Sequence, residues 1–551
     1  MKRKTETKPH RSRRDFVKTA AVGLGGISAT ALAGLGATQS EAAEVPKRWD
    51  RVADVVVVGA GATGIPAAIE AAENGASVIV IEQNYDIGGH AIQSGAAMPF
   101  GGGTSLQKKY GIEDSPERYF QDLVNNPDYR YNDRELVRTF ADWSAPTLEW
   151  LIAHGVVFPD RSPTGNGPVK RAQNPVWTGG VSAVSPTGAD GTALMRPLEA
   201  AARKAGVQFL LEHSLTSVMR EPNASRKVVG IAATNNGKIV TIQARKGVIL
   251  GTGGHTSNVS FRRMFDPRMT EEYQVVGEPY SRQTGDGEIA AMQVGAALGG
   301  AGNQTLERGI AMLKPGSIGT QYGYPSPRGG HPIPGLPASP LFARMKATGL
   351  DVRDFQDIIH VNQVGQRFVN EAATGFAWVN PCMALNGGAD NGGGPIWAIF
   401  DADAAKRENW VCEPPYVNPD GWFFSGNSPA ELAGRIVNRY QKKPMPVGAL
   451  QEALARYNLF VDAGKDADFG KATPKFKIQT PPFYAAWSTP CAHDCLSGLR
   501  INMRSQVIDL YGQVIPGLYC GGESAGGFSL HGLARCIVQG RIAGRDVTRS
   551  S

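Results

Sequence analysis

Glycines and one acidic residue in the region of residues 59–82 have types and spacing that suit dinucleotide binding. Residues 59–64 read Gly-Ala-Gly-Ala-Thr-Gly, and Glu82 follows the last of these glycines by 18 residues. In such a turn the first glycine permits a tight bend, the second lets a pyrophosphate approach the backbone, and the third allows a helix to pack closely on a strand. The helix N-terminus binds the phosphates, and the acid accepts hydrogen bonds from the adenosine ribose.

The elements that must position these residues form one βαβ unit. Residues 54–58 include four consecutive valines, which is typical of a strand buried on both faces. An Ala- and Glu-rich stretch that ends near Gly75 predicts a helix, and residues 77–81 predict a second buried strand that ends at Glu82. A lone glycine motif is weak, but strand, helix, second strand and acid in this order predict a dinucleotide site.

The segment that follows Glu82 favours FAD over NAD. Asp86-Ile87-Gly88-Gly89-His90 continues from the acidic strand end, and residues 93–97 form a small-residue loop that lets a flat ring system lie against the backbone. Here the sequence resembles the fumarate reductase/succinate dehydrogenase flavoprotein superfamily, which also includes 3-ketosteroid dehydrogenases. The resemblance covers nearly the whole chain beyond its first 42 residues.

Five further segments carry the same resemblance. Residues 248–254 are similar to the family's strand and glycine turn over the flavin, and a predicted β-meander that turns at Asn235-Asn236-Gly237 precedes them. Residues 284–287 resemble the next flavin-contacting loop, and residues 365–371, Gly-Gln-Arg-Phe-Val-Asn-Glu, resemble a conserved family segment. Two more matches are a helix and loop at residues 457–470 and the closing FAD motif at residues 515–523.

The resemblance implies an α/β fold in which a Rossmann-like FAD-binding domain, with a parallel sheet and a β-meander, carries an inserted α+β capping domain for the substrate. We predict the first part of the FAD-binding domain at residues 43–276, the cap at 277–480 and the C-terminal part at 481–551. The implied FAD-binding residues are Gly59, Gly61, Ala62, Thr63, Gly64, Glu82, Gly89, His90, Gly95, Gly253, Asp286 and Glu523.

The resemblance also implies the chemistry, which is hydride transfer between flavin N5 and a carbon–carbon bond next to a carbonyl in a small organic substrate. This reaction needs a group that polarises the carbonyl and a group that handles a proton. The candidate catalytic residues are Tyr322, Tyr324 and His331 in a Pro/Gly-rich stretch of the cap, and His493, His531 and Arg535 near the C-terminus.

Three positions depart from the fumarate reductases. Those enzymes place a proton-donating arginine four residues after the glutamate of the segment at 365–371, where this chain has Gly375. Their substrate-binding histidine segment corresponds to residues 493–498, so either His493 or Asp494 takes that place. Arg535 and its neighbours match the family's C-terminal arginine motif only in part. Arg535 is therefore a candidate substrate anchor. A dicarboxylate substrate is disfavoured.

His90 has two interpretations. Succinate dehydrogenases bind FAD covalently through a histidine at the comparable position, whereas a hydrogen bond from His90 to the flavin or the pyrophosphate is the simpler alternative. Rival functions also remain, namely an FAD-dependent alcohol or amine oxidase, a fumarate reductase-like dicarboxylate reductase, and a periplasmic flavin electron carrier. The long cap argues against the carrier, because electron carriers expose the flavin edge.

The first 42 residues predict export. Ser12-Arg13-Arg14-Asp15-Phe16-Val17-Lys18 matches the twin-arginine pattern, and a weakly apolar stretch and a small-residue cleavage site at residues 40–42 follow it. We therefore expect recognition by the twin-arginine export machinery, which carries folded proteins, and a periplasmic or otherwise exported location. No later segment has about 18 uninterrupted apolar residues, so we expect no stable membrane insertion.

Charge and cysteine content narrow the partners. The net charge of +7 is concentrated in the first 42 residues, which hold eight of the 57 basic and three of the 50 acidic residues, so nucleic acid is a poor candidate partner. No cysteine motif for zinc, an iron–sulfur cluster or attached haem occurs, and we expect no metal site. Electrons therefore require a separate quinone or redox protein. Cys491 and Cys495 either pair as a disulfide or remain buried thiols.

Overall fold

The computed structural model describes residues 44–126, 132–165, 167–176, 190–222, 226–275, 281–300, 304–307, 355–373, 376–384, 394–414, 417 and 419–549. The twin-arginine segment and the candidates Tyr322, Tyr324 and His331 lie outside the described residues. The strands are β1 Arg51–Val58, β2 Val78–Ile81, β3 Met98–Pro99, β4 Ala172–Gln173, β5 Gln208–Leu210, β6 Ser214–Arg220, β7 Val228–Asn235, β8 Lys238–Leu250, β9 Gln274–Val275, β10 Leu298–Gly299, β11 Gln304–Glu307, β12 Ile359–Val361, β13 Trp397–Asp401, β14 Phe423–Gly426, β15 Phe483–Trp487, β16 Cys491–Cys495, β17 Gly498–Leu499, β18 Gln506–Ile508 and β19 Val514–Cys520.

The helices of the described residues lie between these strands and after the last of them. They are α1 Gly64–Glu73, α2 Gly89–Gln93, α3 Ser105–Lys109, α4 Pro116–Val124, α5 Arg134–Ala153, α6 Asp190–Lys204, α7 Val259–Phe265, α8 Asp286–Gln293, α9 Phe376–Ala384, α10 Ala402–Glu408, α11 Pro429–Arg435, α12 Val447–Ala463 and α13 Leu533–Arg549. Short 3₁₀ turns occur at Phe355–Asp357 and Gly522–Ser524. Within the described residues no helix has both the length and the apolar character needed to cross a membrane.

The main sheet has the strand order β18-β19-β8-β1-β2-β5. Its central strands are parallel, with Val55 of β1 opposite Val78 of β2 and Gly247 of β8. The valines of β1 are buried, and α1 and α13 pack on this part of the sheet. The predicted Rossmann-like βαβ unit is therefore confirmed.

The β-meander is also confirmed. β6, β7 and β8 pair antiparallel in sequence order, and β7 meets β8 through the register Asn235↔Lys238. The two turn residues, Asn236 and Gly237, have φ values of 48° and 77°. A two-residue turn with positive φ at both positions matches the twist of the strands it joins, which is why an Asn-Gly pair predicts it.

Helices α1 and α13 pack closely through two glycines of α13. A Cβ atom added to Gly540 would lie 2.2 Å from the carbonyl oxygen of Thr63, and one added to Gly544 would lie 2.2 Å from that of Ala67. The contact fixes the helix that follows the predicted phosphate turn, because the C-terminal helix lies directly on its backbone.

A second, antiparallel sheet is inserted between β8 and β19. Its strand order is β12-β13-β15-β14, and its core contains Trp397, Trp422 and Trp487. Helices α11 and α12 contribute Leu432 and Leu450 to the same core. The insertion confirms a cap that contains both helices and a sheet. This sheet extends to Trp487, beyond the predicted cap boundary at residue 480.

The cysteines of β16 do not pair. Cys491 and Cys495 are the two ends of one strand and are both free and buried. Four residues of extended strand span about 13 Å, which is too far for a disulfide. The disulfide alternative is therefore wrong, and the buried-thiol alternative is confirmed for this pair.

Candidate functional site

A cleft opens where β1, β2 and β8 end. Ligands of open α/β sheets bind at this carboxyl edge, because the loops that leave parallel strands converge there. Most of the predicted cofactor residues line the cleft, namely Gly59, Gly61, Ala62, Thr63, Glu82, Gly89, His90, Gly253, Asp286 and Glu523. The other two, Gly64 and Gly95, do not line it.

The glycine turn after β1 has the shape that a pyrophosphate needs. Gly59 has a φ of +95°, and a Cβ there would lie 2.4 Å from the carbonyl oxygen of Gly251. A Cβ on Gly61 would meet nothing within 4 Å, so the backbone at Gly61 is open towards the cleft. Gly64 serves helix packing instead, because its Cβ would lie 1.8 Å from the carbonyl oxygen of Gly59. An open backbone face at a helix N-terminus fits a bound pyrophosphate.

Glu82 sits at the end of β2 with its carboxylate directed at this turn. Its Oε2 accepts a hydrogen bond from the Ala60 amide at 2.8 Å, and its Oε1 accepts one from the Asn84 amide at 3.0 Å. Burial raises the pKa of Glu82, although these backbone hydrogen bonds act in the opposite direction. Each carboxylate oxygen has a second lone pair, so Glu82 can also accept hydrogen bonds from a ribose.

The loop after β8 is joined to the C-terminal motif by hydroxyl groups. The Ser524 hydroxyl donates to the carbonyl oxygen of Gly253 at 2.6 Å, and the hydroxyls of Thr252 and Ser524 lie 3.0 Å apart. Asp286 begins α8 and lines the same part of the cleft. These contacts bring together three segments that lie far apart in the chain. Gly95 lies to one side, where its carbonyl oxygen accepts from the Asn174 side chain at 2.5 Å.

Gln283 links His90 and Glu523, two of the titratable groups that line the cleft, and no sequence motif pointed to it. Its side-chain amide donates to the Glu523 carboxylate and, at 3.2 Å, to Nδ1 of His90. Gln283 lies directly before the predicted loop at residues 284–287, but the sequence of this loop does not show where the Gln283 side chain points. Because Nδ1 of His90 accepts this hydrogen bond, the proton of the neutral ring is on Nε2.

His90 and Glu523 are both uncharged near neutral pH. Burial lowers the pKa of His90 to about 4, and the nearby His493 adds to this effect. Burial and the charge of Asp494 raise the pKa of Glu523 to about 8, against Arg535, His493 and Gln283. The His90 and Glu523 side chains approach to 3.9 Å, but with both groups neutral this contact is not an ion pair. His90 lines the cleft, so covalent and hydrogen-bonded attachment of FAD both remain predictions.

We expect Glu523→Gln to make the flavin-free protein more stable at high pH. A carboxyl whose pKa is raised on folding contributes full stability below its ordinary value of 4.5 and loses it as pH rises towards about 8. Gln removes this loss, because it stays neutral. Thermal unfolding of both proteins between pH 5 and 9 should therefore show a difference that grows with pH. Identical pH dependence in the two proteins would contradict the buried, protonated Glu523.

Two of the candidate catalytic histidines meet at one carboxylate. Nδ1 of His493 lies 2.8 Å from Oδ1 of Asp494, and Nδ1 of His531 contacts Oδ2 of the same residue. The His493 ring centroid is 5.0 Å from that of His531 and 5.5 Å from that of His90. We call His493, Asp494 and His531 the histidine cluster. It connects to the cleft through His90.

The carboxylate of the histidine cluster stays ionised. Burial would raise the pKa of Asp494, but the charges of His493 and His531 and their hydrogen bonds outweigh it and hold the pKa well below its usual range. The ligand atoms of the three residues lie within 4.8 Å of one another, which is close enough for one metal ion. Hydrogen bonds between Asp494 and both rings already hold the cluster together, and the absence of a metal stays a prediction.

Arg535 does not line the cleft. Its guanidinium is buried and donates to the carbonyl oxygens of Phe528 and, at 3.1 Å, of Cys495. These bonds tie the start of α13 to the end of β16, next to the histidine cluster. These two donor groups of Arg535 support the backbone, and its part as a substrate anchor stays a prediction.

The chain is similar to known FAD-binding proteins in sequence and in fold. The chain matches the family described as "FAD binding domain" over residues 54–536. It is 28% identical to an NADH:fumarate oxidoreductase of Klebsiella pneumoniae (strain 342), with 90% of this chain aligned but only 48% of that protein. It is also 28% identical to the acrylate reductase flavoprotein subunit of Shewanella woodyi, with 97% of each chain aligned. The structure of 3-ketosteroid delta1-dehydrogenase from Sterolibacterium denitrificans superposes with a TM-score of 0.68 at 22% identity, covering 91% of this chain and all of that one, which shows a shared fold.

Proposed function

We propose that this chain, which belongs to the FAD binding domain family, is a FAD-dependent oxidoreductase of CH–CH groups. It reduces a carbon–carbon double bond next to a carbonyl in a small substrate with one carboxyl group or none. Bound FAD supplies hydride transfer. The glycine turn binds its pyrophosphate, Glu82 its ribose, and Glu523 with Gln283 its ribityl end.

The observation that carries the proposal is the histidine cluster beside the cleft. Reduction of a conjugated double bond needs a hydride at one carbon and a proton at its neighbour, so a proton-handling group must stand near the flavin. His493 is such a group, and it reaches the cleft wall through His90. In an alcohol or amine oxidase the same site would meet a saturated substrate, and oxygen would reoxidise the flavin.

A substrate with fewer than two carboxyl groups is favoured by two observations. Gly375 replaces the proton-donating arginine that the fumarate reductases have, so this chain must use another donor. The relative that aligns over 97% of both chains is an acrylate reductase flavoprotein subunit, and acrylate has one carboxylate. A dicarboxylate reductase remains the second candidate, because the NADH:fumarate oxidoreductase aligns with most of this chain.

Location and electron supply complete the proposal. The twin-arginine pattern at residues 12–18 supports export of the folded, FAD-loaded enzyme to the periplasm or beyond. Since no haem-attachment motif occurs in the sequence, a separate quinone or redox protein supplies the electrons. Both points rest on sequence patterns.

We expect conjugated carbonyl compounds to reoxidise the reduced flavin. The enzyme is reduced anaerobically, and the return of flavin absorbance is followed after mixing with acrylate, an enone, a ketosteroid, an aryl-propenoid or fumarate. At least one compound other than fumarate should react about tenfold faster than fumarate or more, because the relative that aligns over 97% of both chains is an acrylate reductase flavoprotein subunit and acrylate has one carboxylate. Rapid reaction with fumarate alone would favour the dicarboxylate reductase, and rapid reaction with oxygen alone would favour the oxidase.

A further inference from the structure

The histidine cluster lies beside His90, which lines the cleft, and the ring centroids of His90 and His493 are 5.5 Å apart. Asp494 contacts both imidazoles through Nδ1, and its side chain is only 9% exposed. The His493 side chain is 17% exposed and the His531 side chain 41%, so the cluster runs from buried carboxylate to solvent. A proton that His493 exchanges with a substrate must leave or arrive at Nε2, because Nδ1 lies against the carboxylate.

We propose that His493 is the acid that protonates the substrate carbon next to the one that receives hydride, and that Asp494 is the positioning residue that keeps His493 protonated and oriented. The inference rests on the proposed function. Gly375 cannot donate a proton, and the inference assigns this role to His493. His531 supports His493 as the second hydrogen-bond donor to Asp494.

The charges around His493 favour this assignment. In the part of the chain that the structure describes, the titratable and charged groups near the cluster include His90, Cys495, Glu523 and Arg535. His90 and Glu523 are neutral, as described above, and the burial of Cys495 raises the pKa of its thiol. The Arg535 charge opposes a proton on His493, but Arg535 is bound to two carbonyl oxygens, whereas Asp494 hydrogen-bonds His493 directly at 2.8 Å. A direct charge-assisted hydrogen bond is the stronger influence.

The step balances in atoms and electrons. The π bond of the substrate breaks, one carbon gains a hydride from the reduced cofactor, and the neighbouring carbon gains the Nε2 proton of His493. Two C–H bonds form, the cofactor is oxidised by two electrons, and the imidazolium becomes a neutral imidazole. His493 then regains a proton from water. In the direction of oxidation the same imidazole accepts the proton.

The test compares His493→Gln and Asp494→Asn with the control His154→Gln in the FAD-loaded enzyme. His154 pairs with Glu73 at 3.0 Å on another surface, so it is a histidine–carboxylate pair outside the cleft. Each enzyme is reduced anaerobically and mixed either with the best conjugated substrate or with ferricyanide, which takes electrons without forming a C–H bond. Flavin content and circular dichroism check that each variant is folded.

We expect His493→Gln to lower the reoxidation rate by the conjugated substrate about 100-fold or more, the usual contribution of a general acid, with the ferricyanide rate unchanged. Asp494→Asn should move the rate–pH curve to lower pH by about one unit, since a lost counter-charge at this distance has that effect. In ¹⁵N spectra of histidine-labelled enzyme, the His493 signal should show less imidazolium at pH 7 in Asp494→Asn than in the wild type. His154→Gln should match the wild type throughout.

Three outcomes overturn different claims. If the wild-type enzyme reacts with ferricyanide but with none of the conjugated substrates, the proposed function is wrong and the inference falls with it. If the wild type reduces a conjugated substrate and His493→Gln does so at the same rate, the proposed function stands and the proton-donor assignment is wrong. An unshifted rate–pH curve in Asp494→Asn overturns the role of Asp494.

Discussion

We expect Gly61→Val to yield a folded protein that purifies without its yellow cofactor. A Cβ at this position would meet nothing within 4 Å, so the larger side chain fits the fold, but it occupies the space where a pyrophosphate must approach the backbone. We expect the affinity for FAD to fall at least about 100-fold, equivalent to about 3 kcal/mol. The ratio of flavin to protein absorbance and a calorimetric FAD titration measure it.

Gly434→Val is the matched control for this change. Gly434 is exposed in α11, and a Cβ there would also meet nothing within 4 Å, but it lies outside the cleft. This variant should keep the wild-type flavin content. Gly64→Val gives the opposite contrast, because its Cβ would lie 1.8 Å from a carbonyl oxygen and the protein should fail to fold. Wild-type FAD affinity in Gly61→Val would contradict the site.

The sequence predicted the FAD-binding fold well because its signals are local. Consecutive valines at 55–58 identify a strand buried on both faces, and the spacing from Gly59 to Glu82 reflects the length of one helix and two short strands. Pairing within the cap is not local in this sense. β13 pairs with β15, which follows it by more than eighty residues, and no periodic pattern specifies such a partner or the end of that sheet at Trp487.

The site also contains residues that local signals predict and contacts between distant segments that they do not. The glycines and Glu82 are fixed by the backbone of one βαβ unit, so their types and spacing suffice. Asp494 joins His493 to His531 across 37 residues, and Gln283 joins His90 to Glu523 across the cleft. These contacts depend on side-chain directions set by packing. Arg535 shows the limit most clearly, because a motif gives the residue type but not the acceptors that its guanidinium meets.

The segment at residues 365–371 is one of the segments that resemble the flavoprotein family. In this chain it stabilises the cap. The Glu371 carboxylate binds Arg367 through two hydrogen bonds of 2.7 and 2.8 Å and lies 3.3 Å from Nζ of Lys471. The side chains of Glu371 and Lys471 are completely buried. Burial would raise the pKa of Glu371, but the charges of Lys471 and Arg367 outweigh it and lower the pKa. The carboxylate therefore neutralises two cations inside the cap.

We expect Glu371→Ala to lower the free energy of unfolding by about 3–5 kcal/mol, since it leaves buried positive charge without its counter-charge. Arg367 keeps Asp466 at 2.7 Å, so Lys471 bears most of the loss. Adding Lys471→Met to Glu371→Ala should recover part of the stability, because the double variant buries no unpaired ammonium.

The exposed pair Arg138 and Asp142 is the control, and Asp142→Asn should cost less than about 1 kcal/mol. Urea unfolding of the FAD-loaded variants measures these differences. A double variant no more stable than Glu371→Ala would mean that the loss arises from packing, whereas recovery assigns the motif to charge balance within the cap.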